Sequence, residues 1–215
     1  MATTDDPAPV RQFSGGSGAS LVAAGILISR VLGFARDAVI AHVLGTSVAG
    51  GALRAALRIP NLLQNLFGEG ALSASFIPVY ARLRMEGRDA EAVRVAGAVF
   101  TLLALLSSAL VLVGVIWSAE LVTLLTPGFA PATRALTTTL VRIMFPGVGL
   151  LVLSAWCLGV LNSHRRFFLS YVSPVMWNLA IIAAVLFGRR TSLEDAARLV
   201  AWGAMIGSAL QFLVQ

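Results

Sequence analysis

From Val99 to Trp117 the chain reads VFTLLALLSSALVLVGVIW, without one charged residue. A run of this length and apolarity spans the hydrocarbon core of a bilayer as a single helix. Backbone groups in hydrocarbon must be satisfied inside the segment, so a membrane helix needs no further partner for its amides. The remainder of the 215 residues fits the same solvent: 58% are hydrophobic and only 12% charged, too apolar for an ordinary soluble domain. Aromatics supply just 8%, leaving Leu, Val, Ala and Ile to provide lipid-facing surface.

The expected fold is therefore all-α, a polytopic membrane bundle with about six helices. Further spans are expected over 21–44, 52–83, 133–161 and 169–187, with the clear span at 92–117 and a sixth beginning near Leu193. Pro60 and the Gly68-Glu69-Gly70 cluster predict a kink or break in the second helix. Pro146 and Pro174 predict kinks in the fourth and fifth. The stretch from Ser118 to Pro131, with its Pro127-Gly128 pair, reads as a loop. The first twenty residues are polar and rich in Pro, Gly and Ser, without the short apolar run of a signal peptide. They are expected to be a disordered cytoplasmic tail ahead of a transmembrane lobe over 21–215. The apolar run still in progress at Phe212-Leu213-Val214-Gln215 suggests a fragment cut inside the sixth helix.

Net charge is +6, with every cation an arginine. The arginines fall singly or in pairs between apolar runs, without a solvated basic face or interleaved stacking aromatics, which argues against nucleic acid. Positive-inside topology accounts for them better. Arg82, Arg84, Arg88 and Arg94 mark the second loop as cytoplasmic, and Arg165 and Arg166 mark the fourth. This places the N-terminus on the cytoplasmic side. Arg189, Arg190 and Arg198, in and beside the fifth loop, are the exception. Cys157 is the lone cysteine, so no disulfide forms within the chain. His42 and His164 have no ligand-spaced partners, and no metal or other cofactor is expected.

Functional residues concentrate between Ser29 and Ala81. This stretch is apolar enough for a bilayer, yet it contains Arg30, Arg36, Asp37, Arg54, Arg58 and Glu69, accompanied by Asn61, Gln64 and Asn65. A charge at the bilayer centre costs about 3 kcal/mol on insertion scales, so such residues face a bundle interior or a wet cavity. Arg30 and Asp37, two turns apart, share a helix face. Arg58, Asn65 and Glu69 form one polar stripe if helical geometry holds. Two neighbouring helices bearing these arginines would build a cationic pocket for an anion. The bland alternative is a structural ion-pair network that fastens the two helices together. Arg54 reads first as an interfacial arginine that snorkels to the headgroups. Arg142, four residues before Pro146, either lines the cavity or pairs structurally. No phosphate-binding glycine loop, catalytic Ser-His or Cys-His arrangement, or carboxylate acid/base pair is present, so the chain is not expected to be an enzyme.

At SRVLGFARD and RIPNLLQNLFGEGALSASFIPVYA the sequence resembles the MurJ/MviN family of lipid II flippases, within the larger superfamily of multidrug and polysaccharide exporters. The resemblance continues through TPGFA, RIMFPGVGLL and GVLNSHRRFFLSYVSPVMWN. It implies the N-terminal lobe of a transporter with two six-helix lobes around a central cavity. The implied activity is export of the undecaprenyl-pyrophosphate-linked peptidoglycan precursor, lipid II, across the bacterial cytoplasmic membrane by alternating access. Implied partners are that lipid, the surrounding membrane lipids, the rest of the same protein and other cell-wall synthesis proteins. Arg30 matches the arginine of the family's SRVLGF block, Arg36 and Asp37 match the pair that lines its cavity, and Arg58, Asn61 and Glu69 match polar positions of the second block. Two departures stand out. Gln64 occupies a position where the family usually has arginine, and Gly51 one where it usually has aspartate. Arg54 offers a replacement for the first charge. A transport-inactive scaffold for wall synthesis, or an exporter of another solute, are the competing readings.

Overall fold

The computed structural model describes the backbone of residues 16–64, 75–164 and 167–215, and the side chains of 23–59, 62, 75–164, 169 and 172–215. Among the described residues the regular structure is helical throughout. The order is α1 (Gly16–Leu44), α2 (Val48–Gln64), α3 (Ile77–Met85), α4 (Asp89–Ile116), α5 (Ser118–Leu125), α6 (Pro131–Ser163), α7 (Phe167–Gly188) and α8 (Leu193–Val214).

Local chemistry sets the boundaries. α1 starts at Gly16, within the stretch expected to be a tail, while residues 1–15 lie outside the described residues. It ends at Gly45, whose φ of 51° is the left-handed conformation that closes a helix C-terminus at low cost to glycine. Two residues later Ser47 opens α2, its Oγ accepting from the Gly50 amide at 3.1 Å. The turn is therefore shorter than the expected 45–51, because a serine cap restarts the helix at once. α2 continues through Pro60 to Gln64 as one helix. The expected break at Gly68-Glu69-Gly70 lies outside the described residues. Ser192 caps α8 in the same manner, accepting from the Asp195 amide at 3.2 Å.

One expectation is corrected outright. Ser118–Leu125, expected to be loop, is the helix α5. Its sequence SAELVTLL buries Ser118 and Val122 against the bundle and leaves Leu124 exposed. The turn signal of Pro127-Gly128 applies only to the residues after it.

α6 is the central helix and α4 a peripheral one. Half of α6's most apolar window is buried, against 17% for α4, whose exposed face carries Leu102, Leu105, Leu106 and Leu112. A face this apolar suits lipid and not water. Among the described residues α4, α6 and α8 are long and apolar enough to cross a membrane by themselves. α1, with its internal charges, and α2, with 17 residues, are not among them. Two clusters form the core. One joins α1, α2, α6, α7 and α8 around Leu53, Leu140, Phe145 and Ile181. The other joins α3, α4 and α6 at the opposite end, where Phe76, Tyr80, Phe100 and Trp156 meet.

Small residues decide how closely α7 and α8 approach. α8 contains Gly203-Ala-Met-Ile-Gly207, a pattern that lets membrane helices pack backbone to backbone. A Cβ on Gly203 would lie 3.0 Å from the Ala180 carbonyl oxygen. One on Gly207 would lie 3.0 Å from the Cα of Trp177. This contact fixes the backbone of Trp177, and through it the next residue, Asn178.

Candidate anion-binding site in the seam between α1 and α7

Arg36 lies on α1 where α7 passes alongside. Its side chain retains 18% of its exposure, against 65% for the neighbouring Asp37. Nε donates to Asp37 Oδ1 at 2.9 Å, and Nη2 approaches the same oxygen at 2.8 Å. Nη1 donates to Asn178 Oδ1 at 3.0 Å, and the guanidinium carbon sits 4.9 Å from the centre of the Trp177 ring. Carboxylate, amide oxygen and aromatic face together offset the cost of withdrawing the cation from water. A guanidinium has five N–H donors, and these contacts employ three of them. The other two have no acceptor among the described residues.

Asn178 is buried and is itself oriented: its Nδ2 donates to the Pro174 carbonyl at 3.2 Å. That bond turns Oδ1 toward Arg36. Sequence reasoning passed over Asn178 and Trp177, although a buried polar residue in an otherwise apolar membrane helix is itself a signal.

The other expected site residues distribute differently. Arg30 and Arg58 are exposed and have no hydrogen-bond or ion-pair partner among the described residues. Arg30 thus does not pair with Asp37, whose carboxylate engages Arg36. Arg58 lies on α2 at the edge of an apolar groove of about 430 Å³ between α2, α4, α5 and α6, away from the α1–α7 seam. Arg54 donates to the Gly45 carbonyl at 2.8 Å and so closes the α1–α2 turn. Arg142 donates from Nε to Ser118 Oγ at 2.6 Å, tying α6 to the start of α5. Asn61, Gln64, Asn65 and Glu69 lie outside the residues described at side-chain level, and with them the expected stripe of Arg58, Asn65 and Glu69. Gly51 faces open space: a Cβ there meets nothing within 4 Å.

The basic loop between α3 and α4 is partly self-neutralised. Arg82 donates to Glu86 at 2.7 Å, and Arg88 bridges Glu86 and Glu91 at 2.9 and 2.7 Å. Hydrogen bonds from Arg82 and then Arg88 hold the Glu86 carboxyl below its ordinary range.

Known proteins share this sequence and helical fold. The family described as lipid II flippase MurJ matches residues 40–215, beginning just after Arg36 and Asp37. The lipid II flippase MurJ of Burkholderia cenocepacia is 38% identical over 192 residues, covering 88% of this chain and 37% of the relative. A probable lipid II flippase MurJ of Buchnera aphidicola is 36% identical over 203 residues, covering 91% of this chain and 39% of the relative. A solved lipid II flippase MurJ in an inward closed conformation superposes with a TM-score of 0.74 at 27% identity, over 90% of this chain and 40% of that one. The chain thus spans about two fifths of the length of the relatives it matches. Within that span, the agreement of sequence and helical fold is sufficient to conclude that the chain belongs to the MurJ lipid II flippase family.

Proposed function

We propose that this chain is the N-terminal lobe of a transporter that moves undecaprenyl-pyrophosphate-linked peptidoglycan precursor across the bacterial cytoplasmic membrane. The observation that carries the reading is Arg36: a cation held in an apolar helix seam with two donors unspent. Arginine suits a pyrophosphate because its planar fork spans adjacent oxygens and keeps its charge when partly desolvated. Asp37 holds the guanidinium while the site is empty and yields as the anion arrives, so binding is reversible. Arg30, exposed on the same helix and without a partner among the described residues, is available to the same headgroup, whereas Arg58 sits in the separate groove beside α2 and would engage the lipid only there. Asn61 and Glu69 complete the set by sequence position, and Arg54 and Arg142 support it by holding the α1–α2 turn and the α5–α6 contact. The N-terminus lies in the cytoplasm, and alternating access is a motion of this lobe against the remainder of the protein around the bound lipid. No covalent bond changes in this cycle.

A second reading, a wall-synthesis scaffold without transport, is favoured by Gln64 and Gly51 at positions usually charged in the family. The deciding experiment depletes the resident lipid II flippase of a bacterium and supplies the full-length protein that contains this chain. Rescue of growth that is lost with Arg36→Ala is the expected result. Equal rescue by wild type and Arg36→Ala would overturn the role of the seam. Failure of both, with membrane insertion verified, would favour the scaffold.

A further inference from the structure

The seam that holds Arg36 opens at one end into a cleft of about 730 Å³, lined by Ala38 and His42 of α1 and by Leu186, Arg189 and Arg190 of α7 and the turn after it. α1 and α7 run parallel here. Arg36 meets Trp177 and Asn178, and further along both chains His42 shares the cleft with Arg189 and Arg190. At the helical rise per residue, His42 lies about 9 Å beyond Arg36 along α1.

The polar groups in this cleft are uncommitted. His42, Arg189 and Arg190 are exposed, and none has a hydrogen-bond or ion-pair partner among the described residues. The acids nearest in sequence, Glu194 and Asp195, are engaged by Arg198 at 3.6 and 2.7 Å. Arg189 and Arg190 are also the arginines that the positive-inside tendency does not explain. In the topology of the other loops they fall on the outer side, where arginine is disfavoured. Two guanidinium forks and an imidazole beside an apolar wall of Ala38 and Leu186 match an amphiphile whose polar end carries phosphate.

We propose that this cleft is a second anion station, binding the phosphate-bearing headgroup of a membrane lipid at the end of the α1–α7 seam. It deepens the proposed function, resting on the reading that the seam carries an anionic headgroup: the group leaves Arg36 for His42, Arg189 and Arg190 before release. Transfer between cationic stations avoids stranding a diphosphate in an apolar passage.

The test uses the full-length protein labelled with ¹⁵N-histidine in phosphatidylcholine nanodiscs, with the His42 imidazole signal identified by His42→Gln. Inorganic pyrophosphate is titrated in one arm. In the other, nanodiscs containing phosphatidylglycerol replace it. A saturable shift of His42, with His164 at the far end of the bundle unmoved, is expected. Arg189→Gln/Arg190→Gln, at two exposed positions, should weaken that response about tenfold or more, the scale of losing charged hydrogen bonds. A response to pyrophosphate assigns a diphosphate and one to phosphatidylglycerol a phospholipid headgroup; each supports the site. Silence of His42 in both arms, or unchanged affinity in the double variant, overturns it. A His42 response that persists while Arg36→Ala still rescues growth would keep this station and remove the pathway proposed for the seam.

Discussion

Arg36 and Asn178 are 142 positions apart in sequence and joined by a 3.0 Å hydrogen bond from Nη1 to Oδ1. The bond fastens α1 to α7 and, beside Asp37 and the Trp177 ring, is the hydrogen bond that α7 gives the half-buried cation. It distinguishes Arg36 from Arg30, which is exposed on the same helix.

Asn178→Leu keeps the number and branching of side-chain heavy atoms and removes the acceptor. It is expected to lower stability by about 1–2 kcal/mol, the range for polar contacts between membrane helices and for a bond to a charged group. The freed guanidinium loses its aim, so transport should fall about tenfold, whereas Asn178→Asp should retain most of it. Thermal unfolding in detergent, run beside the growth-rescue assay, checks both halves.

Gly207→Val presses a branched side chain into the backbone of Trp177. Overpacking of this kind costs about 1–3 kcal/mol, and here it also displaces the ring that covers Arg36. Stability and rescue should decline together. Gly51→Asp, which enters open space, should leave the unfolding midpoint within the error set by neutral surface changes.

A side chain at Gly114 would collide with the ring of Phe145, so α4 and α6 touch there only because the glycine has none. Gly114→Ala alone should destabilise, Phe145→Ala alone should destabilise by leaving a cavity, and the pair should be less harmful than their sum. A double-mutant cycle with a coupling of about 1 kcal/mol or more is the expected outcome; strict additivity would contradict the contact.

The Glu86 carboxyl titrates below its ordinary value of 4.5 because Arg82 and Arg88 donate to it. A depressed carboxylate adds stability above that value and loses it as pH falls through the lower folded one. The α3–α4 loop should therefore stay intact at neutral pH and be released as acidification passes below the ordinary carboxylate range. The Nε–H signal of Arg82, which donates to Glu86, should move toward its free guanidinium position over that range, and Glu86→Gln should remove the transition.

Arg54→Met removes the bond to the Gly45 carbonyl while keeping a long side chain. Since that site is exposed, stability should drop by no more than about 1 kcal/mol and rescue of growth should persist. Loss of rescue with normal stability would instead assign Arg54 to the lipid.

Much of this architecture was legible because its causes are local. Apolar runs placed α1, α4, α6, α7 and α8 within a few residues, and Gly45 marked the end of α1, whereas the restart at Ser47 was missed because the glycines at 50 and 51 extended the apparent turn. α5 escaped because a proline-glycine pair downstream masked a short amphipathic turn of helix. The Gly203-to-Gly207 spacing was readable but says only that some backbone comes close. Sequence also singled out Arg36 and Asp37 as costly charges needing a reason. It left open which helix answers them. Asn178 and Trp177, the closing of the α1–α2 turn by Arg54, and the gathering of His42 with Arg189 and Arg190 were decided by tertiary packing. Hydropathy and capping act over a turn or two of helix, whereas a guanidinium's partners are whatever surface the neighbouring helix presents. That register is set by small-residue contacts between α7 and α8, far along the chain from α1.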